Sequence, residues 1–357
     1  MAKKAIKAFG IILLVVVLLV AALIIWLSVS EYNPEDVTDI KIVENSHLDG
    51  LSPHEGQALS VISWNIGYAG LGKDADFFMD GGENVKSADQ DTVTANLLGI
   101  FKTLYNDDNP ASIYMLQEVD ENSTRTYGIN EKEYLGLYNS AYALNYSCPF
   151  VPYPLPPIGR VNSGLLTTSL YDMEHSERIS LPCPFSWPVS TANLKRCLLV
   201  SYLPIEGTNS RLVIVNLHLE AYDDGEGKIA QTNQLRDFIQ SEYEKGNYVI
   251  AGGDFNQVFP GAIDKYPNNH PDLWEPGVIE NDIVPEGWTL AYDLNTPSCR
   301  LLNQPLNPDD TANTQYYVID GFILSPNLEL VSVQTLDAGF KNSDHNPVRL
   351  EVNLKYQ

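Results

Sequence analysis

Close to the C-terminus an acid and an imidazole stand side by side, in Ser343-Asp344-His345-Asn346-Pro347. An alternating strand pattern, Val348 to Val352, follows at once. Adjacent residues of an extended segment point to opposite sides, but a loop can aim both side chains into one pocket. Such a pair suits a metal-bound carboxylate beside a histidine that handles charge or protons. Other apolar segments of the chain also end in polar residues: Asn65, Glu118, His218, Asp254 with Asn256, and Asp320 within Val-Ile-Asp-Gly-Phe. Taken singly, each has an ordinary reading. Asn65 could cap a turn, Glu118 could be a surface acid, and His218 a core histidine. Asp344-His345 could be a polar turn ahead of Asn-Pro, because strand-end loops are polar for backbone reasons alone. Taken together and in order, they are the residue types phosphate-ester hydrolysis needs: charge neutralisation, an in-line water and a stabilised leaving oxygen.

The elements that must position these residues follow from pattern. Leu59–Trp64 reads as a strand running into Asn65, with a glycine-rich loop behind it (Gly67, Gly70, Gly72, Gly81, Gly82). No GxxxxGKS or GxGxxG spacing accompanies those glycines, so they are expected to form a flexible turn. Ser87-Ala-Asp-Gln90 matches a capping box. Val93, Leu97, Ile100, Phe101 and Leu104 then recur at helical spacing. A strand at Ala111–Leu116 is expected to present Gln117-Glu118 at its C-terminal end. Residues 145–160 hold five prolines and several aromatics and read as a structured loop, with strands expected at Ser163–Ser169, Lys195–Leu203 and Arg211–Leu217. A helix spans Ile229 to Tyr243 and stops at Gly246. Tyr248–Ala251, Gln315–Leu324, Glu329–Leu336 and Val348–Leu354 complete the strands, and no internal repeat is present.

The chain has 357 residues and a net charge of −24. Of 22 basic residues, three lysines lie in the first thirty positions, which hold no acid; 19 basic residues then face 46 acidic ones, a balance of −27. Such a body repels nucleic-acid backbones and anionic membrane faces and favours cations. Nucleic acid is therefore disfavoured as a partner. Cys148, Cys183, Cys197 and Cys299 have no metal-ligand spacing, and their pairing is open.

The N-terminus reads as an anchor. Ala8 to Leu27 is an unbroken apolar run, about the 20 residues a helix needs to cross a bilayer. It is too long for a cleaved signal peptide. Lys3, Lys4 and Lys7 precede it while Glu31, Glu35 and Asp36 follow, which leaves the N-terminus cytoplasmic and the body outside the cell membrane. The expected organisation is a tail at 1–7, a transmembrane signal anchor at 8–29, a stalk at 30–56 with a short strand at Asp39–Val43, and a catalytic domain at 57–357.

The boxes Ser-Trp-Asn-Ile (63–66), Leu-Gln-Glu-Val (116–119), Asn-Leu-His-Leu (216–219), Gly-Gly-Asp-Phe-Asn (252–256), Ile-Asp-Gly (319–321) and Ser-Asp-His-Asn-Pro-Val (343–348) resemble those of the endonuclease/exonuclease/phosphatase superfamily. Deoxyribonucleases, apurinic endonucleases, inositol polyphosphate 5-phosphatases and neutral sphingomyelinases belong to it. The resemblance covers roughly residues 58–355. It implies an α/β fold, a four-layer sandwich of two packed mixed β-sheets flanked by helices, here preceded by one transmembrane helix. It implies Mg²⁺ or Mn²⁺ as cofactor, with Glu118 as direct ligand and Asn65 and Asp344 on the metal side. It implies that Asp254 orients or deprotonates the attacking water. Asn256 and His218 would hold phosphoryl oxygens. His345, oriented by Asp320, would carry a proton or stabilise the transition state. His218 stands where apurinic endonucleases have tyrosine, which places the chain nearer the phosphatase, sphingomyelinase and deoxyribonuclease branches. Arg160, Lys195 and Arg196 are the few cations near candidate strands, and pairing with acids is their expected use.

The sequence thus points to a membrane-anchored, divalent-metal-dependent phosphoesterase acting on a phosphodiester or phosphomonoester, a lipid headgroup among the candidates. A surface nuclease and a catalytically silent binding module are the alternatives. A zinc hydrolase lacks its HExxH, and His47, His54, His175 and His270 have no ligand spacing.

Overall fold

In the computed structural model, the described residues are 2–356 other than 49, 87, 106–109, 224, 280–282, 308 and 310–312. Thirteen strands build two mixed sheets. Those strands are β1 (Val37–Asp39), β2 (Ala58–Asn65), β3 (Ile113–Asp120), β4 (Asn139–Val151), β5 (Gly159–Ser169), β6 (His175–Ser180) and β7 (Cys197–Pro204). They continue with β8 (Arg211–His218), β9 (Tyr248–Asp254), β10 (Thr289–Ala291), β11 (Asp320–Leu324), β12 (Leu328–Thr335) and β13 (Val348–Leu354). One sheet runs β1-β6-β7-β8-β9-β11-β10 and the other β12-β13-β2-β3-β5-β4. Within these two sheets, among the described residues, parallel pairs occur only at β8–β9 and β2–β3, and the other neighbours are antiparallel.

Apolar residues on the inner faces pack the sheets together: Val61, Met115 and Leu350 from one, Leu199, Ile214, Ile250 and Phe322 from the other. Each outer face is covered by a helix. Val93, Leu97, Ile100 and Leu104 of α2 (Gln90–Leu104) lie on the six-stranded sheet. Leu235 and Ile239 of α4 (Glu226–Glu244) lie on the seven-stranded one. A short helix, α3 (Glu131–Leu135), sits between β3 and β4. Burying both faces of both sheets explains the near-continuous apolar runs of β8 and β9.

Several expected boundaries move. The α2 cap is Asp89, whose carboxylate accepts from Thr92 N at 2.8 Å; Ser87, where the capping box was expected to begin, lies outside the described residues. Residues 145–151 are not loop but the end of edge strand β4. An edge strand tolerates Pro149 because no partner needs its missing N–H. The expected strand Gln315–Leu324 is two pieces, a two-residue bridge at Tyr316–Tyr317 in a separate ribbon and β11. The glycine-rich loop is held, not free: Arg300 Nη2 donates to Gly72 O at 2.9 Å and Ala75 O at 3.1 Å. All four cysteines are free thiols, and Cys148, Cys197 and Cys299 are buried.

The N-terminal helix α1 (Ala2–Val29) projects from the body, and its Lys3–Val29 stretch is long and apolar enough to cross a membrane. Its last turns dock: Leu27 is buried with Cys148, Val151 and Val161, and Trp187 Nε1 donates to Ser28 Oγ at 3.0 Å. Residues 30–56 run along the body where a stalk was expected. Lys195 pairs with Glu31 at 2.7 Å, β1 joins the sheet edge through β6, and Val43 exchanges backbone bonds with Ser140. The strand expected at Asp39–Val43 is displaced to Val37–Asp39, because Ile40 and Ile42 turn onto the inter-sheet core.

One core feature yields a stability prediction. Glu131 is fully buried; Oε2 accepts from Asp120 N at 2.7 Å while Oε1 has no hydrogen-bond partner among the described residues. Burial, reinforced by the nearby Asp120 charge, holds its carboxyl well above the usual carboxylate range. A carboxyl with a raised folded pKa leaves stability intact below its unfolded pKa of about 4.3 and costs stability as pH rises toward the folded value. Glu131→Gln removes that cost. The variant should be more stable than wild type by about 1–3 kcal/mol at pH 8, with the gap closing toward pH 4.5 in urea melts. A gap independent of pH would contradict it.

Candidate active site

The sheet register assembles the site. On the seven-stranded sheet His218 pairs with Asp254 across β8–β9, and Asp254 with Asp320 across β9–β11. Three functional side chains therefore stand on one rung of three neighbouring strands. Gly253 makes the rung possible: at φ 143° its missing Cβ would lie 1.9 Å from Leu217 O. On the facing sheet β2 ends at Asn65, level with Gln117 of β3. β3 does not stop before Glu118, as expected, but runs on through a register shift between Leu116 and Val119. Glu118 sits in that bulge at φ 54°. Bulges re-aim side chains beside active sites, and a non-glycine residue in this region is strained. Gln117 Nε2 donates to Asn216 Oδ1 at 2.8 Å, a buried bond from one sheet to the other. Both residues lie inside the sequence boxes at 116–119 and 216–219, but the sequence assigned neither a role.

The loop carrying Asp344 and His345 is stapled over β2. Trp64 Nε1 donates to His345 O at 2.8 Å, and Ser343 Oγ donates to Asn65 O at 2.8 Å. Gly67, at φ 52°, leaves room for Asp344, whose Oδ1 would be 2.8 Å from a Cβ there. Both adjacent side chains do face one cleft. That cleft, of about 650 Å³, is lined by seven of the eight expected residues, Asn65, Glu118, His218, Asp254, Asn256, Asp344 and His345, and the eighth, Asp320, lies behind His345.

His345 Nδ1 lies 2.8 Å from Asp320 Oδ2, and its Nε2 lies 3.7 Å from Asp254 Oδ2. Burial lowers its pKa, but the Asp320, Cys299 and Asp254 groups outweigh burial and hold it well above the usual histidine value. That environment favours the imidazolium form. His218 is the opposite case. Burial, then the charges of Arg196 and His345, push it well below the usual value, which favours the neutral form. Its Nε2 faces Asp254 Oδ2 at 3.4 Å and its buried Nδ1 has no partner among the described residues. Asp254 accepts from Asn65 Nδ2 at 3.0 Å and from Asn256 N at 2.9 Å. Burial and Asp320 push its carboxyl up to about 6, against the pull of His345. Asn256 donates to Leu219 O at 2.9 Å, leaving its second amide hydrogen for a ligand.

For a cation the donor set is instructive. Glu118 and Asp344 line the cleft without any Lys or Arg partner among the described residues. Burial pushes Asp344 up to about 7, and Glu118 raises it further against the pull of His345 and Arg300. Two hard oxygen donors short of positive charge fit Mg²⁺ or Mn²⁺. Asn65 plays a different part from that expected. Its Oδ1 accepts from Gly67 N at 3.0 Å, and its Nδ2 donates to Glu118 at 3.1 Å and to Asp254. It bridges the two carboxylates instead of offering an oxygen. Asp254, Asp320 and His345 also lie close enough to hold an ion. Geometry argues against that use, since His345 Nδ1 is committed to Asp320 at 2.8 Å.

Three cations divide as follows. Arg160 bonds Asn122 O at 2.9 Å and Lys195 pairs with Glu31. Arg196 lines the cleft near His218, nearly buried and 3.7 Å from Glu220, yet its Nε and Nη1 have no hydrogen-bond partner among the described residues. A buried guanidinium with unmet donors is a ready anion receptor, and pairing with acids does not exhaust it. Arg125, unnoticed in the sequence, bonds Asp120 through both Nε and Nη2 at 2.9 Å and stacks 3.6 Å over the Tyr68 ring at the cleft wall.

Comparison with solved structures identifies the architecture. An endonuclease/exonuclease/phosphatase from Beutenbergia cavernae DSM 12333 superposes with a TM-score of 0.53 at 17% identity, over 84% of this chain and 72% of that one. The fold is the endonuclease/exonuclease/phosphatase fold. The Bacteroides vulgatus protein described by the same three words matches with a TM-score of 0.52 at 15% identity, over 84% of this chain and 100% of its own. A member from Leptotrichia buccalis C-1013-b matches with 0.52 at 13%, over 83% and 99%. No protein-family profile matches the sequence. No curated protein matches it either. The two-sheet sandwich expected from the motif boxes is therefore the one observed, with the boxes at the strand ends of this fold.

Proposed function

We infer that the chain is a divalent-metal-dependent phosphoesterase held at a membrane by α1. The observation that carries this reading is the convergence of two histidines and three carboxylates, from two sheets and one loop, in a single cleft. A bound Mg²⁺ or Mn²⁺ on Glu118 and Asp344 would neutralise phosphoryl charge. The remaining steps belong to the chain. Asp254 is an acceptor to two donors and titrates near neutrality, which suits a general base. It takes a proton from water as the water oxygen bonds to phosphorus. His218 and Asn256 steady the phosphoryl oxygens. The bond from phosphorus to the leaving oxygen breaks, and His345, held by Asp320, gives that oxygen a proton. A phosphodiester and water become a phosphomonoester and an alcohol. Only 3.7 Å separates His345 Nε2 from Asp254 Oδ2, so the proton taken from water can return to the imidazole.

The test is a substrate panel: bis(4-nitrophenyl) phosphate, 4-nitrophenyl phosphate and plasmid DNA, each with Mg²⁺ or Mn²⁺ and with excess EDTA. The expected result is metal-dependent turnover of a small ester, abolished by chelator. Turnover indifferent to EDTA would sink the metal assignment. Cleavage of DNA alone would replace this reading by a nuclease.

A further inference from the structure

The catalytic cleft is not closed at its outer end. Leu23, Ile24 and Leu27 of α1 form one wall of the same cavity whose floor is Asp254 and His218. Val151, Tyr153 and Ile158, from the β4–β5 connection, and Phe185 and Val189, from the β6–β7 connection, form the others. A phosphoester site in an acidic protein has no evident use for an apolar porch.

The placement of that porch is set by α1. Contact with the body begins at Leu23. The apolar run Ala8–Leu27 is twenty helical residues, about 30 Å, the thickness of a bilayer's hydrocarbon core. With Lys7 at its inner end, the last turns, Leu23–Leu27, lie at the outer edge of that core, and the porch beside them lies where acyl chains meet headgroups. The two connections have the matching chemistry. Residues 139–159 and 179–194 contain no Asp, Glu, Lys, Arg or His, in a body whose balance is −27. They expose Leu155 (86%), Tyr153 (70%), Trp187 (64%) and Val189 (57%). Uncharged, apolar and aromatic surface of this kind belongs at a membrane interface, and it surrounds the end of the membrane-length helix. Glu31–Lys195, Ser28–Trp187 and the β1–β6 pairing hold the body in this pose.

We propose that the porch is a lipid-binding groove: a phospholipid of the outer leaflet enters sideways, with acyl chain against Leu23, Ile24, Val151, Ile158 and Val189 and phosphate among Asp254, His218 and Asn256. The substrate class is then a membrane phospholipid, taken directly from the bilayer. This rests on the phosphoesterase reading for its chemistry but not for its binding.

The test uses the full-length protein in detergent, incubated with palmitoyl-oleoyl-phosphatidylcholine and analysed for retained lipid by native mass spectrometry. Wild type should retain the lipid. Val189→Glu, a charge at a partly exposed groove wall that folding tolerates, should weaken retention about tenfold or more, and Val189→Leu should restore it. No retention by wild type, or equal retention by Val189→Glu, would overturn the groove. Turnover of bis(4-nitrophenyl) phosphate is followed in parallel. Turnover without lipid retention discards the groove and keeps the phosphoesterase. Retention without turnover of any ester keeps the groove and discards the chemistry.

Discussion

Asp254→Asn should lower turnover of a small phosphoester by about 10²–10⁴-fold, the range for loss of a positioned general base. The substitution is close to isosteric. Its amide oxygen can still accept from Asn256 N, now 2.9 Å from the carboxylate, so the strand-end turn should persist. The new amide hydrogens would face Asn65 Nδ2, itself a donor, and a modest loss of thermal stability is expected from that clash. A circular dichroism melt separates the two effects. A cooperative melt within a few degrees of wild type, together with the collapse in rate, is the expected pair of results. Full activity in a folded variant would remove Asp254 from the chemistry and leave His345 without its neighbouring proton acceptor.

The second large effect concerns the cation. Glu118→Gln keeps an oxygen for the 3.1 Å bond from Asn65 but removes a charge from the cleft. Losing a partner around a metal ligand typically costs 10–100-fold in affinity, and a direct ligand should cost more. Calorimetric titration with Mn²⁺ should therefore show binding about 100-fold weaker or worse, with turnover recovered only in part at high metal. Glu131→Gln is the matched control, because that carboxyl is buried behind β3 and outside the cleft. Should the two variants bind Mn²⁺ equally well, the ion does not sit on Glu118.

The site was more legible in the sequence than the sheets that carry it. A strand end is marked twice, by an apolar run and by the polar residue that interrupts it, so Asn65, His218 and Asp254 could be placed within a residue. β13 was readable at both ends because its alternation is strict and its entry is set by Asn346-Pro347. β4 was not, since its prolines argue for a loop and an edge strand need not refuse them. β6 was missed for a related reason: His175, Glu177 and Arg178 disguise a strand whose neighbours are an edge strand and β7. The bulge at Glu118 has no signature in side-chain pattern, being a property of backbone register. Asn65 shows the limit for function. Its type and position announced a site residue, but only the bond that Gly67 N donates to its Oδ1 reveals which end of its amide points at the carboxylates. The docking of α1 was invisible because a membrane-length apolar helix looks alike on every side.

Neither sheet owns a working site. Glu118 and Asn65 belong to one, His218, Asp254 and Asp320 to the other, and the Gln117–Asn216 bond is a buried tie between them. On the proposed reading, a nascent or clipped chain with only one half would hold complete strands and still be inert. Hydrolysis would then itself report on the assembly of the sandwich.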